Sequence, residues 1–152
     1  MQSQALPQLD DLYKEIILEH YRKPCGREPL GKVDYHAEGM NPLCGDELKL
    51  GLQMKNEKIE KIHIEGHGCS ISVASGSMLE DILCGKSLEE AKSLSKHLKD
   101  IMHNRVNNIK VDMGDLEALT GVKKFPVRIK CALLPWTTLE EALIGHDHVE
   151  IS

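Results

Sequence analysis

Residues 48–64, LKLGLQMKNEKIEKIHI, decide the fold. Leu48, Leu50, Leu52 and Met54 alternate with polar neighbours, the period of a half-buried strand. Lys55 to Lys58, with Asn56 inside, is a short polar break before Ile59, Ile62 and Ile64, so the two runs fold back on each other as an antiparallel hairpin with one apolar face. Residues 33–38 read as a third short strand.

Outward from the hairpin the period changes from 2 to 3.6. Upstream, Leu9, Leu12, Tyr13, Ile16, Ile17, His20 and Tyr21 recur at helical spacing until Pro24, which predicts an amphipathic helix over 8–22. Downstream, Ile71, Ala74, Met78, Leu79, Ile82 and Leu83 share one helical face that opens at Cys69 and stops at Gly85. Ser87 and Glu90 form a capping box for a helix that runs to about residue 103. Residues 104–124 read as a polar excursion in which Asp115–Leu119 is one short helix closed by Gly121. A further helical region starts near Phe125. Pro135 is expected to break or restart it, with Thr137 or Thr138 capping a last helix that ends at Gly145. The expected architecture is α+β, a small antiparallel three-stranded sheet packed against several α-helices. The whole chain, 1–152, reads as one domain, with loose ends at about 1–7 and 146–152.

Composition excludes several classes of function. The chain has 152 residues, 41% apolar and 28% charged, with a formal net charge of -5 from interspersed signs. It carries no basic stripe to follow a phosphate backbone, and one Trp, one Phe and three Tyr offer little to stack on bases. Nucleic acid is therefore not an expected partner. Apolar runs are only a few residues long and the first residues lack a secretory pattern, so neither a membrane span nor export is expected and the location reads as cytoplasmic.

The chemistry lies in the cysteines. Five of them, at 25, 44, 69, 84 and 131, are odd in number and widely spaced, which fits reduced thiols better than a disulfide framework. Cys44 stands in Asn41-Pro42-Leu43-Cys44-Gly45-Asp46, a turn ahead of a strand. Residues two apart in an extended segment point the same way, so Cys44 and Asp46 can converge on a cation, and zinc accepts both ligand types. Cys69 opens a helix, where unpaired amides and the helix dipole lower a thiol pKa. Cys131 follows Arg128-Ile129-Lys130, whose two cations favour its thiolate. Cys25 and Cys84 lack a neighbouring ligand and read as bystanders. His63 and His67 read as solvent-facing or hydrogen-bonding, and His20 to Arg22 as packing. Gaps of 25 and 62 residues between the three cysteines match no compact zinc-knuckle pattern, so the residues alone specify only a metal or thiol site.

Four segments in order, His20–Pro24, Asn41–Asp46, Gly66–Ser77 and Lys124–Cys131, resemble the IscU and NifU N-terminal family of iron-sulfur cluster assembly proteins, and most closely its SufU branch. The resemblance covers nearly the whole chain. It implies that Cys44, Cys69 and Cys131 are the three ligand cysteines and that Asp46 accompanies the first of them. The scaffold branch has His before the third cysteine and a Leu-Pro-Pro-Val-Lys segment; this chain has Lys130 there, lacks that segment, and carries the excursion before Cys131, all marks of the SufU branch.

That branch implies a zinc-dependent sulfurtransferase that takes persulfide sulfur from a SufS-type cysteine desulfurase. Cys44 would be the acceptor, freed from zinc by a partner histidine, Arg128 would steady its thiolate or persulfide, and a downstream cluster scaffold would receive the sulfur. Three thiolates and a carboxylate leave a charge of about -2 around zinc, which keeps the sulfurs nucleophilic. The rival readings are a [2Fe-2S] assembly scaffold on the same residues, a purely structural zinc domain, and a zinc hydrolase, which four protein ligands would leave without an open position.

Overall fold

A computed structural model describes residues 9–106 and 108–151. Helix α1, Asp11–Arg22, begins after Asp10, whose carboxylate accepts the Leu12 amide at 2.9 Å. The expected start at residue 8 and the expected loose segment at 1–7 lie outside the described residues.

Strands β1 (Tyr35–Asn41), β2 (Asp46–Lys55) and β3 (Lys58–His67) form an antiparallel meander. Asn56 and Glu57 both take positive φ, 54° and 63°, the backbone that closes a two-residue hairpin without splaying its strands. Leu50 faces Ile64 and Leu52 faces Ile62, while Met54 faces Ile59. Ile59 is out of phase with Ile62 in the sequence, and a bulge at Gln53/Met54, which leaves Glu60 unpaired, puts both on the buried face.

The sheet has four strands rather than the expected three, in the order β3-β2-β1-β4. β4, His148–Glu150, lies parallel to β1 where a loose tail was expected. The open edge of β1 offers unpaired amides and carbonyls; the Glu38 amide donates to Asp147 at 3.0 Å and the Ile151 amide to Met40 at 2.9 Å. Residue 152 is outside the described residues.

Helices α2 (Ser70–Leu83), α3 (Leu88–Met102) and α4 (Pro126–Leu143) bury the apolar face of the sheet and one another. The capping box forms as expected, with Ser87 Oγ accepting the Glu90 amide and Glu90 accepting the Ser87 amide. Residues 114–124 are one 3-10 segment that runs through Gly121. Gly121 does not close a helix. A Cβ there would stand 3.1 Å from the Tyr13 ring, so glycine lets this segment seat against α1. His20, buried in α1, ties three elements together through Ser77 (2.7 Å) on α2 and Asp115 (2.9 Å) on the 3-10 segment.

α4 passes through Pro135 without the expected break, and Thr138 caps nothing. Proline removes one helical donor and costs about 3 kcal/mol. Leu134, Trp136 and Leu139, all fully buried, each return about 1.5–3 kcal/mol by staying on a continuous helix against the core. Side chains also serve the helix carbonyls: Ser75 donates to Ala132 at 2.6 Å and Thr138 to Leu134 at 2.8 Å.

The closest seam lies between β1 and α4, where a Cβ on Gly39 would stand 2.0 Å from Thr138 Oγ1. Gly39→Ala is expected to cost about 1–3 kcal/mol in a denaturant melt, and Thr138→Ala in the same chain to recover part of it. Equal losses with and without Thr138 would contradict this packing.

Candidate metal centre

Three elements bring four donors to one place. Cys44 sits in the tight turn 42–45 between β1 and β2, where its amide donates to the Asn41 carbonyl at 3.2 Å and Gly45 follows with φ 72°. Asp46, fully buried, is the first residue of β2. Cys69 is the N-cap residue of α2, and Cys131, fully buried, lies in the second turn of α4. Ligand atoms of Cys44, Asp46 and Cys131 lie within 4.8 Å of one another, with Cys131 Sγ 3.2 Å from Cys44 Sγ. Cys69 Sγ is 4.0 Å from Asp46 Oδ2. Cys44 and Asp46 were expected to converge along an extended strand; they converge instead because the turn folds Cys44 back over the start of β2.

Asp46 is the hinge of this arrangement. Its Oδ1 accepts the Cys69 amide at 2.8 Å, so the N-terminus of α2 compensates a buried carboxylate. Gly68, between β3 and α2, has φ 145°, and a Cβ there would stand 2.2 Å from that same Oδ1. Only glycine fits.

The sulfurs are not equivalent. Cys69 has its pKa lowered to about 7, first by a hydrogen bond from Cys131 and then by the Ser72 and Ile71 amides, against the opposing effect of burial. Cys131 moves the other way, because it is the donor to Cys69, is buried, and faces the Cys69 charge. The expectation that Arg128 and Lys130 favour a Cys131 thiolate is thus corrected for the metal-free chain: the Cys69 thiol is pushed down and the Cys131 thiol up. Burial acts to lower the Arg128 pKa, yet the charges of Cys69, Cys131 and Cys44 and hydrogen bonding to Cys131 raise it.

Three soft thiols and one hard carboxylate brought to one place are a donor set suited to zinc, which takes four such ligands. Cys25 and Cys84 stand apart. Burial pushes the Cys25 thiol up, and burial with Glu80 alongside pushes Cys84 up to about 12, which keeps both protonated. His63 bonds the Glu28 carbonyl and Glu65, and His67, the last residue of β3, is exposed beside Glu47. Sequence reasoning missed two features. His20, Asp81 and Asp115 also gather ligand atoms within 4.8 Å, but they come from three distant segments with no shared motif. The Asn41 side chain is fully buried beside Asp46, although Asn-Pro reads simply as a turn.

The chain belongs to the NifU-like N-terminal domain family, whose model matches residues 12–132. It is 42% identical over 142 residues to the zinc-dependent sulfurtransferase SufU of Bacillus subtilis (strain 168), covering 91% of this chain and 94% of the relative. It is 39% identical over 139 residues to the iron-sulfur cluster assembly scaffold protein IscU of Streptococcus pyogenes serotype M1, covering 91% and 87%. Among solved structures it is similar to FiSufU of Fervidobacterium islandicum AW-1, a scaffold candidate of the SUF system, with TM-score 0.75, 33% identity, and 85% of this chain and 94% of that one covered. No helix among the described residues is long and apolar enough to cross a membrane.

Alkylation of the metal-free protein, followed residue by residue, should show Cys69 reacting with a midpoint near pH 7, because its thiolate persists down to that pH. Cys84, held near 12, should label slowly throughout the neutral range. A Cys69 midpoint at the ordinary thiol value of 9.0 would contradict the Cys131 hydrogen bond.

Proposed function

We propose that this member of the NifU-like N-terminal domain family is a zinc-dependent sulfurtransferase of iron-sulfur cluster assembly, accepting persulfide sulfur on Cys44 from a SufS-type cysteine desulfurase. The observation that carries the reading is the convergence of Cys44, Asp46, Cys69 and Cys131, with Cys44 alone on a surface turn beside the exposed Leu43. Similarity to a named zinc-dependent sulfurtransferase over 91% of the chain supports it. The four residues are the proposed zinc ligands. Zinc, when bound, supplies a divalent charge that keeps thiols deprotonated without redox chemistry of its own.

The rest follows from the protein's own groups. Cys131 is fully buried and cannot meet a partner, and Cys69 is fixed at the head of α2, whereas Cys44 lies on the turn that faces outward. Leu43, next to Cys44 in the chain, is 70% exposed and Val127, next to Arg128, 61%, apolar surface that suits a protein partner. The Cys44 thiolate attacks the outer sulfur of the partner's Cys-S-SH. One S–S bond forms on Cys44, the partner's S–S bond breaks, and the partner cysteine leaves as thiolate, so electrons balance with no oxidant. Arg128, whose positive charge acts on all three sulfurs, steadies the anionic sulfur in both states. A cluster scaffold downstream would then receive the sulfur in the cytoplasm.

The second reading, a [2Fe-2S] assembly scaffold, is favoured by similarity to IscU over 91% of the chain and would use the same three thiols and carboxylate. Desulfurase turnover with cysteine, without iron, separates the two. The zinc-loaded protein should stimulate a SufS-type enzyme strongly, and Cys44→Ala should abolish stimulation while retaining part of the zinc. Asp46→Ala should weaken zinc binding. Arg128→Ala should slow transfer without releasing zinc. No stimulation, together with a coloured cluster on adding iron and sulfide, would establish the scaffold; neither result would leave a structural zinc domain.

A further inference from the structure

Beside the donor set stands a polar side chain without a hydrogen-bond partner. Asn41 is fully buried, and neither its Nδ2 nor its Oδ1 is bonded to any of the described residues. Buried amides are almost always paired, because desolvating their donors and acceptors without replacement is unfavourable. An orphan retained in a core therefore calls for a physical reason.

Its position supplies one. Asn41 is the last residue of β1 and pairs directly with Asp46 on β2. Directly paired residues of an antiparallel ladder project to the same face with their Cβ atoms about 5 Å apart. Asp46 offers a carboxylate oxygen to the group formed with Cys44 and Cys131, so Asn41 stands next to that group on the same face. Two residues earlier on that face, Gly39 lies against Leu134 and Thr138 of α4. One strand step on and one helical turn back is the end of α4 that carries Cys131, whose sulfur meets Cys44 three residues beyond Asn41. The Asn41 carbonyl already accepts the Cys44 amide at 3.2 Å. Asn41 thus contacts the site through its backbone and borders it with its side chain.

We infer that Asn41 is a positioning residue of the metal centre, its Nδ2–H donating to the Cys131 thiolate when that sulfur is a metal ligand. A cysteine that ligates a metal is a thiolate, here an acceptor in a buried place where a charge needs donors, and Asn41 carries two unused N–H groups beside it. The orphan amide of the metal-free state and the thiolate of the loaded state satisfy each other. The inference rests on the ligand set proposed above and adds a residue to it.

Asn41→Leu keeps the volume and removes the donor. Three readings should move apart. In zinc competition, affinity should fall about tenfold or more, the scale for losing an outer hydrogen bond to a ligand. In the cobalt-loaded protein the sulfur-to-metal charge-transfer band should shift to lower energy, because a sulfur that loses N–H donation holds its lone pairs less tightly. The melting temperature of the metal-free protein should stay level or rise, since the variant buries no unpaired amide. Asn41→Ala, read the same way, replaces Asn41→Leu if the larger apolar side chain fails to fold. An unchanged band and affinity with a lower metal-free melting temperature would overturn the inference and leave Asn41 as packing. If the unsubstituted protein with cobalt shows no thiolate charge-transfer band, the ligand set itself fails and the inference falls with it; a band there that the substitution leaves unmoved sinks the inference alone.

Discussion

One buried carboxylate organises the molecule. Asp46 opens β2, is sealed from solvent, and accepts the amide at the head of α2. A charge in such a place is tolerated only when donors replace its water, and the helix N-terminus provides both an amide and the positive end of a dipole. That bond fixes where α2 starts relative to the sheet. Gly68 is glycine because the carboxylate occupies the space a side chain would need. The turn that carries Cys44 then has a fixed floor, and the seam of β1 against α4 delivers Cys131 from the other side.

Three thiols in one place would repel if all ionised, and the fold resolves this by ranking them. The Cys69 thiol is pushed down by a hydrogen bond from Cys131 and by helix amides; the Cys131 thiol, fully buried, is pushed up; Cys44 sits on the turn 42–45. Arg128 balances the group as negative charge accumulates. Such a cluster is poised for a cation that can take several thiolates at once. Cys25 and Cys84, pushed up by burial and, for Cys84, by Glu80, stay protonated and outside this group.

Much of this was legible in the residues. The alternation of Leu48 to Met54 specified the hairpin because one face must be buried, and the Ser87 and Glu90 pair marked its helix start without tertiary help. The segments around Cys44, Cys69 and Cys131 pointed to one site through their resemblance to a family, since residues so far apart in the chain reveal convergence only once folded. What was hidden depended on long-range contact. β4 is three residues long and exists because the edge of β1 needs partners. Pro135 reads as a breaker locally, yet burial of its neighbours outweighs the lost bond. The protonated state of Cys131 was misjudged because adjacent cations are visible in the sequence and an opposing thiolate is not.

The central claim is that one donor set both holds zinc and accepts sulfur at a single defined atom. Peptide mass spectrometry after one turnover with a SufS-type desulfurase and cysteine tests it most directly. The account predicts one additional sulfur atom on the peptide carrying Cys44 and none on those carrying Cys25, Cys69, Cys84 or Cys131, with zinc still present in the protein. Additional sulfur on Cys69 or Cys131, or on no cysteine while the desulfurase turns over, would contradict it.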